Sequence, residues 1–202
     1  MINQGFTRWG KYTKQKISWS YQVMPRIIYR HQPATRFIVS AIGEPGEREF
    51  FLQVKSALGV NTLAIEKGQV IALSERFDEL VRELRRSKMA SPDELSATPV
   101  VDDEPLELPI EQDFQVGIIS ITWESDLVVV NIQAASQEDE ILIDDLDTGP
   151  DLVIATLRIN QVKSFCLRAS SVVNTGRPAC PFCSLPVDPR GHLCPRANGY
   201  RR

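Results

Sequence analysis

Apolar and polar residues alternate along the first third of the chain. Arg26 to Arg30 and Arg36 to Gly43 read as strands, with Pro33 between them. Glu44-Pro45-Gly46-Glu47 is turn chemistry, and Glu49 to Ala57 is the next strand. Leu58-Gly59 turns again before a strand at Asn61 to Ile65. The period then changes. Val70, Leu73, Phe77, Leu80 and Leu84 recur every three or four residues, which predicts an amphipathic helix over Gln69 to Arg86. Asp78 and Arg82 add an i,i+4 pair on its surface.

Residues 87–111 hold four prolines and many acids and show no periodicity, the pattern of a linker or an exposed, disordered loop. Alternation then resumes. Phe114 to Trp123 is a strand, Glu124-Ser125-Asp126 a turn and Leu127 to Ala134 a second strand. Gln137 to Asp147 is an acidic loop, and Leu152 to Arg158 a third strand. Asn160 is placed to cap a helix whose stripe is Val162, Phe165, Cys166, Ala169, Val172 and Val173, ending at Gly176.

The order is therefore strands then helix, twice. A shift of 92 residues lays Gln69-Val70 on Gln161-Val162, and Leu73, Leu80 and Val81 on Phe165, Val172 and Val173. This suggests an internal duplication of a strand-strand-strand-helix unit. The predicted fold class is α+β: two strand-rich units, each an antiparallel sheet closed by a helix, joined as one larger sheet or two packed ones. The expected organisation is a disordered extension at 1–23, a first unit at 24–87, an acidic Pro-rich linker at 88–111, a second unit at 112–176, and a zinc ribbon with a basic tail at 177–202. Strand-rich repeats closed by helices also occur among single-strand nucleic-acid binders, an analogy of fold alone.

Composition narrows the class. With 202 residues and 43% hydrophobic content, the chain has enough apolar side chains for a sizeable core. No run of eighteen apolar residues exists, which excludes a membrane-spanning helix. Met1 to Tyr21 lacks an apolar stretch and is no secretory signal, although Arg8, Lys11, Lys14 and Lys16 without acids resemble a transit peptide. The net charge of −3 hides three blocks. Residues 1–36 are net +7, residues 88–151 net −16, and residues 176–202 net +4. The basic ends suit nucleic acid, an acidic membrane surface or the chain's own acidic middle.

The most specific signal is near the C-terminus. Cys180-Pro181-Phe182-Cys183 is followed after eight residues by His192-Leu193-Cys194. Cys-x-x-Cys makes a tight turn with converging thiolates, and His-x-Cys supplies two further corners of a tetrahedron. Pro186, Asp188, Pro189 and Gly191 are turn formers between the knuckles. Four protein ligands leave no open position, so the expected metal is structural Zn2+ at Cys180, Cys183, His192 and Cys194. A redox Cys-x-x-Cys is the alternative, and it leaves the His/Cys pair unexplained. Cysteines used this way indicate a reducing compartment, hence the cytoplasm. Cys166, on the apolar stripe of its helix, reads as a buried core thiol.

No catalytic residue is identified. His192 is committed to metal, and His31 reads as an ordinary surface histidine. Gly43-Glu44-Pro45-Gly46 is a hairpin turn with no Lys-Ser/Thr after it, so there is no phosphate loop. Glu138, Asp139, Glu140, Asp144, Asp145 and Asp147 lack the spacing of a calcium loop and read as a solvated surface. Glu66-Lys67, at a strand-helix junction, reads as a surface ion pair.

The ending, from Cys180-Pro-Phe-Cys183 through Gly191-His192 to Cys194-Pro-Arg-Ala-Asn-Gly-Tyr-Arg-Arg202, resembles that of a bacterial, actinobacterial-type domain-of-unknown-function family. Arg36-Phe37, Gly43-x-Pro45-Gly46-Glu47-Arg48-x-Phe50-x-Leu52-Gln53, Glu66-Lys67 with Gln69-Val70, and Phe114-x-Val116-Gly117 with Trp123 are similar to its internal motifs. The resemblance covers residues 24–202 and implies no activity. It implies a start near Met24-Pro25-Arg26, with residues 1–23 an upstream extension. Gly68 and the long acidic insert around Gln137–Asp147 depart from the family pattern. Neighbouring genes of the family, phosphatase-like and lipid-kinase-like, imply a shared pathway only.

Three functions follow as expectations. The first is a non-enzymatic zinc-stabilised module whose tail, Arg196, Asn198, Tyr200, Arg201 and Arg202, contacts nucleic acid by pairing with phosphates and stacking on bases. The second is a protein-protein adaptor, with the tail arginines or the acidic segment meeting a protein. The third is an enzyme on a phosphorylated small molecule, which a cluster of Arg36, Arg48 and Lys67 around one pocket would favour.

Overall fold

The computed structural model describes residues 25–44, 46–136, 149–175, 179–185, 187 and 191–196. The predicted alternation is realised as β1 (Ile28–His31), β2 (Arg36–Ile42), β3 (Glu49–Ser56), β4 (Gly59–Ile65), β5 (Phe114–Glu124), β6 (Leu127–Ala134) and β7 (Leu152–Leu157). The helices are α1 (Lys67–Ser87), a short α2 (Pro92–Ser96) and α3 (Ile159–Asn174). All seven strands form one mixed sheet in the order β1-β7-β6-β5-β4-β3-β2, so the fold is α+β.

The two outermost strands, β1 and β2, are consecutive in the chain. β1 runs parallel to β7, from Ile28 opposite Leu152 to His31 opposite Ala155. The handover comes at the next residues. Ala34 N–H donates to Thr156 O (3.0 Å) and Thr35 N–H to Lys55 O (2.8 Å), after which β2 pairs antiparallel with β3. The sheet therefore rolls up and its ends meet in one stretch of chain. β5 repeats the device. Phe114 and Gln115 pair parallel with β4, and the rest of the strand pairs antiparallel with β6, with a register shift between Val116 and Ile118. Gly117 sits at that shift, where an added Cβ would lie 2.8 Å from Ala135 Cα. Each unit thus lends the first part of its leading strand to the last strand of the other.

The helices carry the same symmetry. Gln69 Oε1 accepts the Glu66 amide at the start of α1 (3.0 Å), while its Nε2 donates to the Val116 (3.1 Å) and Gly117 (3.2 Å) carbonyls. Gln161 Oε1 accepts the Arg158 amide (2.9 Å), and its Nε2 donates to Ala34 O (3.0 Å). Each glutamine therefore fastens its helix to the point where the other unit's leading strand changes partner. Gln69 and Gln161 are 92 residues apart, and so are Ser74 and Cys166, which meet at 3.6 Å between the helices. The cap of α3 is Arg158 and not the expected Asn160. Asn160 lies inside the first turn, because Gln161 reaches back to the Arg158 amide. Gly176 lies outside the described residues.

The core fills the space between the rolled sheet and the two long helices. Val39, Leu52, Val54, Leu63, Val128, Val130, Val153 and Leu157 face Val70, Phe77, Val162 and Phe165. Phe37, Phe77 and Phe165 form a mutual aromatic contact with centroids 5.2–6.2 Å apart. Burying each such side chain contributes about 1.5–3 kcal/mol. On the surface of α1, Arg76 pairs with Glu79 (2.8 Å) and Glu83 (3.4 Å); the expected pair of Asp78 with Arg82 does not form among the described residues.

The acidic segment after α1 is laid against the body. Leu106 is buried with Ile38 and Phe51 on the outer face of the sheet. Gln53 exchanges two hydrogen bonds with the Glu107 backbone (2.8 and 2.9 Å), as a neighbouring strand would. Arg36 grips Asp102 with two N–H groups (2.6 and 2.8 Å), Lys55 pairs with Glu107 (2.7 Å), and Arg168 donates to the carbonyls of Val39, Asp102 and Glu104. The Arg36 hydrogen bonds hold the Asp102 carboxyl below the usual carboxylate range.

Candidate metal centre

Beyond α3 the described chain makes two short knuckles. In the first, Ser184 N–H donates to Cys180 O and Cys180 N–H to Leu185 O, both at 2.8 Å. Ser184 takes a left-handed conformation (φ +60°) to close this turn. Gly191 also has positive φ (+87°), which delivers His192 and Cys194 to the first knuckle at no steric cost. Arg196 spans the pair, its Nη1 donating to Phe182 O at 3.0 Å.

The ligand atoms of Cys180, Cys183, His192 and Cys194 all lie within 4.8 Å of one another. Cys180 and Cys194 sulfurs are 3.8 Å apart, and Cys183 Sγ is 3.2 Å from His192 Nε2. A zinc tetrahedron with Zn–S of about 2.3 Å has an S···S edge of roughly 3.8 Å, so this donor set fits such an ion. The cysteines are free thiols, and 3.8 Å is far beyond a disulfide bond. Burial works to raise the Cys180 thiol, but the backbone N–H groups of Cys183 and Phe182 outweigh it and lower it. Cys183 is pushed the other way, by burial and by its sulfur neighbours. A metal held by these thiols would deprotonate those it coordinates.

The sequence therefore picked out four residues that do come together. Of the tail residues, Arg196 is seen bracing the first knuckle; Asn198, Tyr200, Arg201 and Arg202 lie outside the described residues, as do Pro186, Asp188, Pro189 and the acidic loop of 137–148. Cys166 stands apart between α1 and α3, where burial pushes its thiol up to about 12.

His31 is not a surface histidine. It is 2% exposed, with Nδ1 2.9 Å from Ser56 Oγ and Nε2 2.8 Å from Asn61 Oδ1. Rolling the sheet carries it from β1 across to β3 and β4, a contact that no local pattern announces. Arg48, Glu49, Glu66, Lys67, Gln112 and Gln115 line an open cavity of about 410 Å³ at the start of α1. Arg48 donates there to Thr175 O at the end of α3. Arg36, the third expected member of that basic cluster, is instead engaged by Asp102.

A family model described as protein of unknown function (DUF3090) matches residues 29–194, a span that includes Cys180, Cys183, His192 and Cys194. No curated protein matches the chain, and no solved structure does.

Proposed function

Since the chain belongs to this family of unknown function, membership supplies no activity, and we propose from its residues that it is a non-enzymatic, zinc-stabilised binding module that contacts nucleic acid through its basic C-terminal tail. The observation that carries the proposal is the convergence of three thiols and an imidazole within 4.8 Å. That soft, nitrogen-and-sulfur donor set favours zinc over hard cations, and four protein ligands leave no position for substrate. Free thiols suit a reducing, cytoplasmic setting. Arg196, Arg201 and Arg202 supply phosphate partners, Asn198 a polar contact and Tyr200 a stacking ring.

Elemental analysis of the purified chain is the first test, with about one zinc per chain expected; protein folded without metal overturns the reading. Nucleic-acid affinity should fall steeply with salt and lose about one unit of slope for each tail arginine changed to Ala. Salt-insensitive capture of a protein instead would make the chain an adaptor. The cavity that holds both Arg48 and Lys67 favours a second reading, an enzyme acting on a phosphorylated small molecule. Glu49 and Glu66 line the same cavity and oppose an anion. Calorimetric titration with inorganic phosphate, repeated on Arg48→Ala, decides it.

A further inference from the structure

We infer that the metal knuckle itself binds single-stranded nucleic acid, through an apolar face made by Phe182 and Leu193 with Arg196 beside it. The inference rests on the zinc-centred reading above, and it adds two residues that lie outside the basic tail. Phe182 is 62% exposed and Leu193 87%. Both are interleaved with ligands, Phe182 within Cys180-x-x-Cys183 and Leu193 between His192 and Cys194. Ligands that converge within 4.8 Å turn their side chains inward, which leaves the residues between them to project from the rim. Both stay exposed, so packing among the described residues does not account for an aromatic ring and a leucine there. Apolar side chains held at a rigid rim are the usual mark of a contact surface.

Charge selects the partner. Residues 176–202 carry five arginines against one acid. The Arg196 Nη1 bond to Phe182 O, at 3.0 Å, holds a guanidinium against the turn that carries the ring, and uses one of its five N–H donors. A stacking ring beside a cation matches a nucleotide, base on the ring and phosphate on the arginine. Duplexes keep their bases stacked inside, so an exposed ring selects single strands. In the acidic segment after α1, Asp102 and Glu107 are held by Arg36, Arg168 and Lys55.

The test uses the full zinc-loaded chain, a fluorescein-labelled oligothymidylate and the corresponding duplex, followed by anisotropy. Wild type should prefer the single strand. Phe182→Ala should weaken that binding about tenfold, from the worth of one stacked base. It should keep one zinc per chain and an unchanged salt slope, since the ring makes no ionic contact. Leu193→Ser should act in the same direction, and Arg196→Ala should lower the slope by about one. Phe182→Ala protein that binds as wild type does, while tail-arginine variants weaken binding, overturns this face and leaves the tail reading standing. Zinc-loaded wild type that binds neither oligonucleotide overturns both nucleic-acid claims. Self-association abolished by Phe182→Ala would assign the face to a second copy of the chain and overturn the inference.

Discussion

Replacing His31 with Ala removes a polar clasp that ties β1 to β3 and β4 across the rolled sheet. Asn61 Oδ1 only accepts, so His31 Nε2 carries a proton toward it at 2.8 Å. Ser56 then donates its hydroxyl to Nδ1 at 2.9 Å, while its oxygen accepts the Leu58 amide at 3.2 Å. All three side chains are at least 93% buried, which deprives them of bulk water. Truncation deletes both hydrogen bonds, so the Ser56 hydroxyl hydrogen and the Asn61 side-chain carbonyl lose their imidazole partner, at about 1–3 kcal/mol each. An imidazole-sized void with polar walls admits water and returns part of this. The net loss should be roughly 3–4 kcal/mol, or about 6–16 °C in Tm for a chain of this size. Thermal unfolding with urea titration measures it, the m value checking that the native state is unchanged. A double mutant with Asn61→Ala should cost clearly less than the sum, because the two groups share one bond. A loss below about 1 kcal/mol, or full additivity, would refute the clasp.

Gln69→Leu and Gln161→Leu should destabilise by similar amounts, about 1–2 kcal/mol each, since both remove a cap acceptor and a donor to a strand carbonyl; a silent member of the pair would break the symmetry argument. Asp102 is held below its unfolded value chiefly by the Arg36 hydrogen bonds, so its contribution is complete above the usual carboxylate range and fades as pH falls through that range toward the folded value. Asp102→Asn should therefore lower stability at neutral pH and flatten the acid limb; urea midpoints from neutral to about pH 3 that keep the wild-type slope would count against it. Stripping the metal with a chelator should raise hydrogen exchange across 179–196 and leave the main unfolding transition in place, whereas loss of both together would show that the knuckle holds up the rolled sheet.

The parts of this fold that the sequence disclosed are those whose signal is local. Val70, Leu73, Phe77, Leu80 and Leu84 reach the core because a helix turns them to one side, and all five are buried. The convergence of Cys180, Cys183, His192 and Cys194 was legible because their chemistry and spacing have few other uses. Closure of the sheet was not legible. Ile28 pairs with Leu152 far along the chain, and a parallel pairing at that distance leaves no local trace. The acidic segment misled for a related reason. Two of its anchors, Leu106 in the outer-face cluster and Asp102 on Arg36, sit among prolines and carboxylates that resemble a solvated loop. His31 was misplaced because its two partners come from strands it meets only once the sheet has rolled.

Closure also bears on where this protein recognises anything. Joining the first and last strands in one stretch of chain ties the two ends of the sheet together, although β2 and most of β5 each pair on one side only among the described residues. The inner face is filled by α1 and α3, and the outer face of β2, β3 and β4 is covered by the segment around Leu106. Two exposed features bear on recognition, the open cavity beside Lys67 and the knuckle. The cavity sets two cations against two carboxylates, which cancels its field for a charged ligand. Among the described residues of the knuckle Cys180 and Cys194 are buried, whereas Phe182, Leu185 and Leu193 face solvent. With zinc bound as proposed, a segment with so little apolar burial would gain its order from metal coordination. Its apolar side chains are therefore not needed for its own folding, and that frees them for a partner.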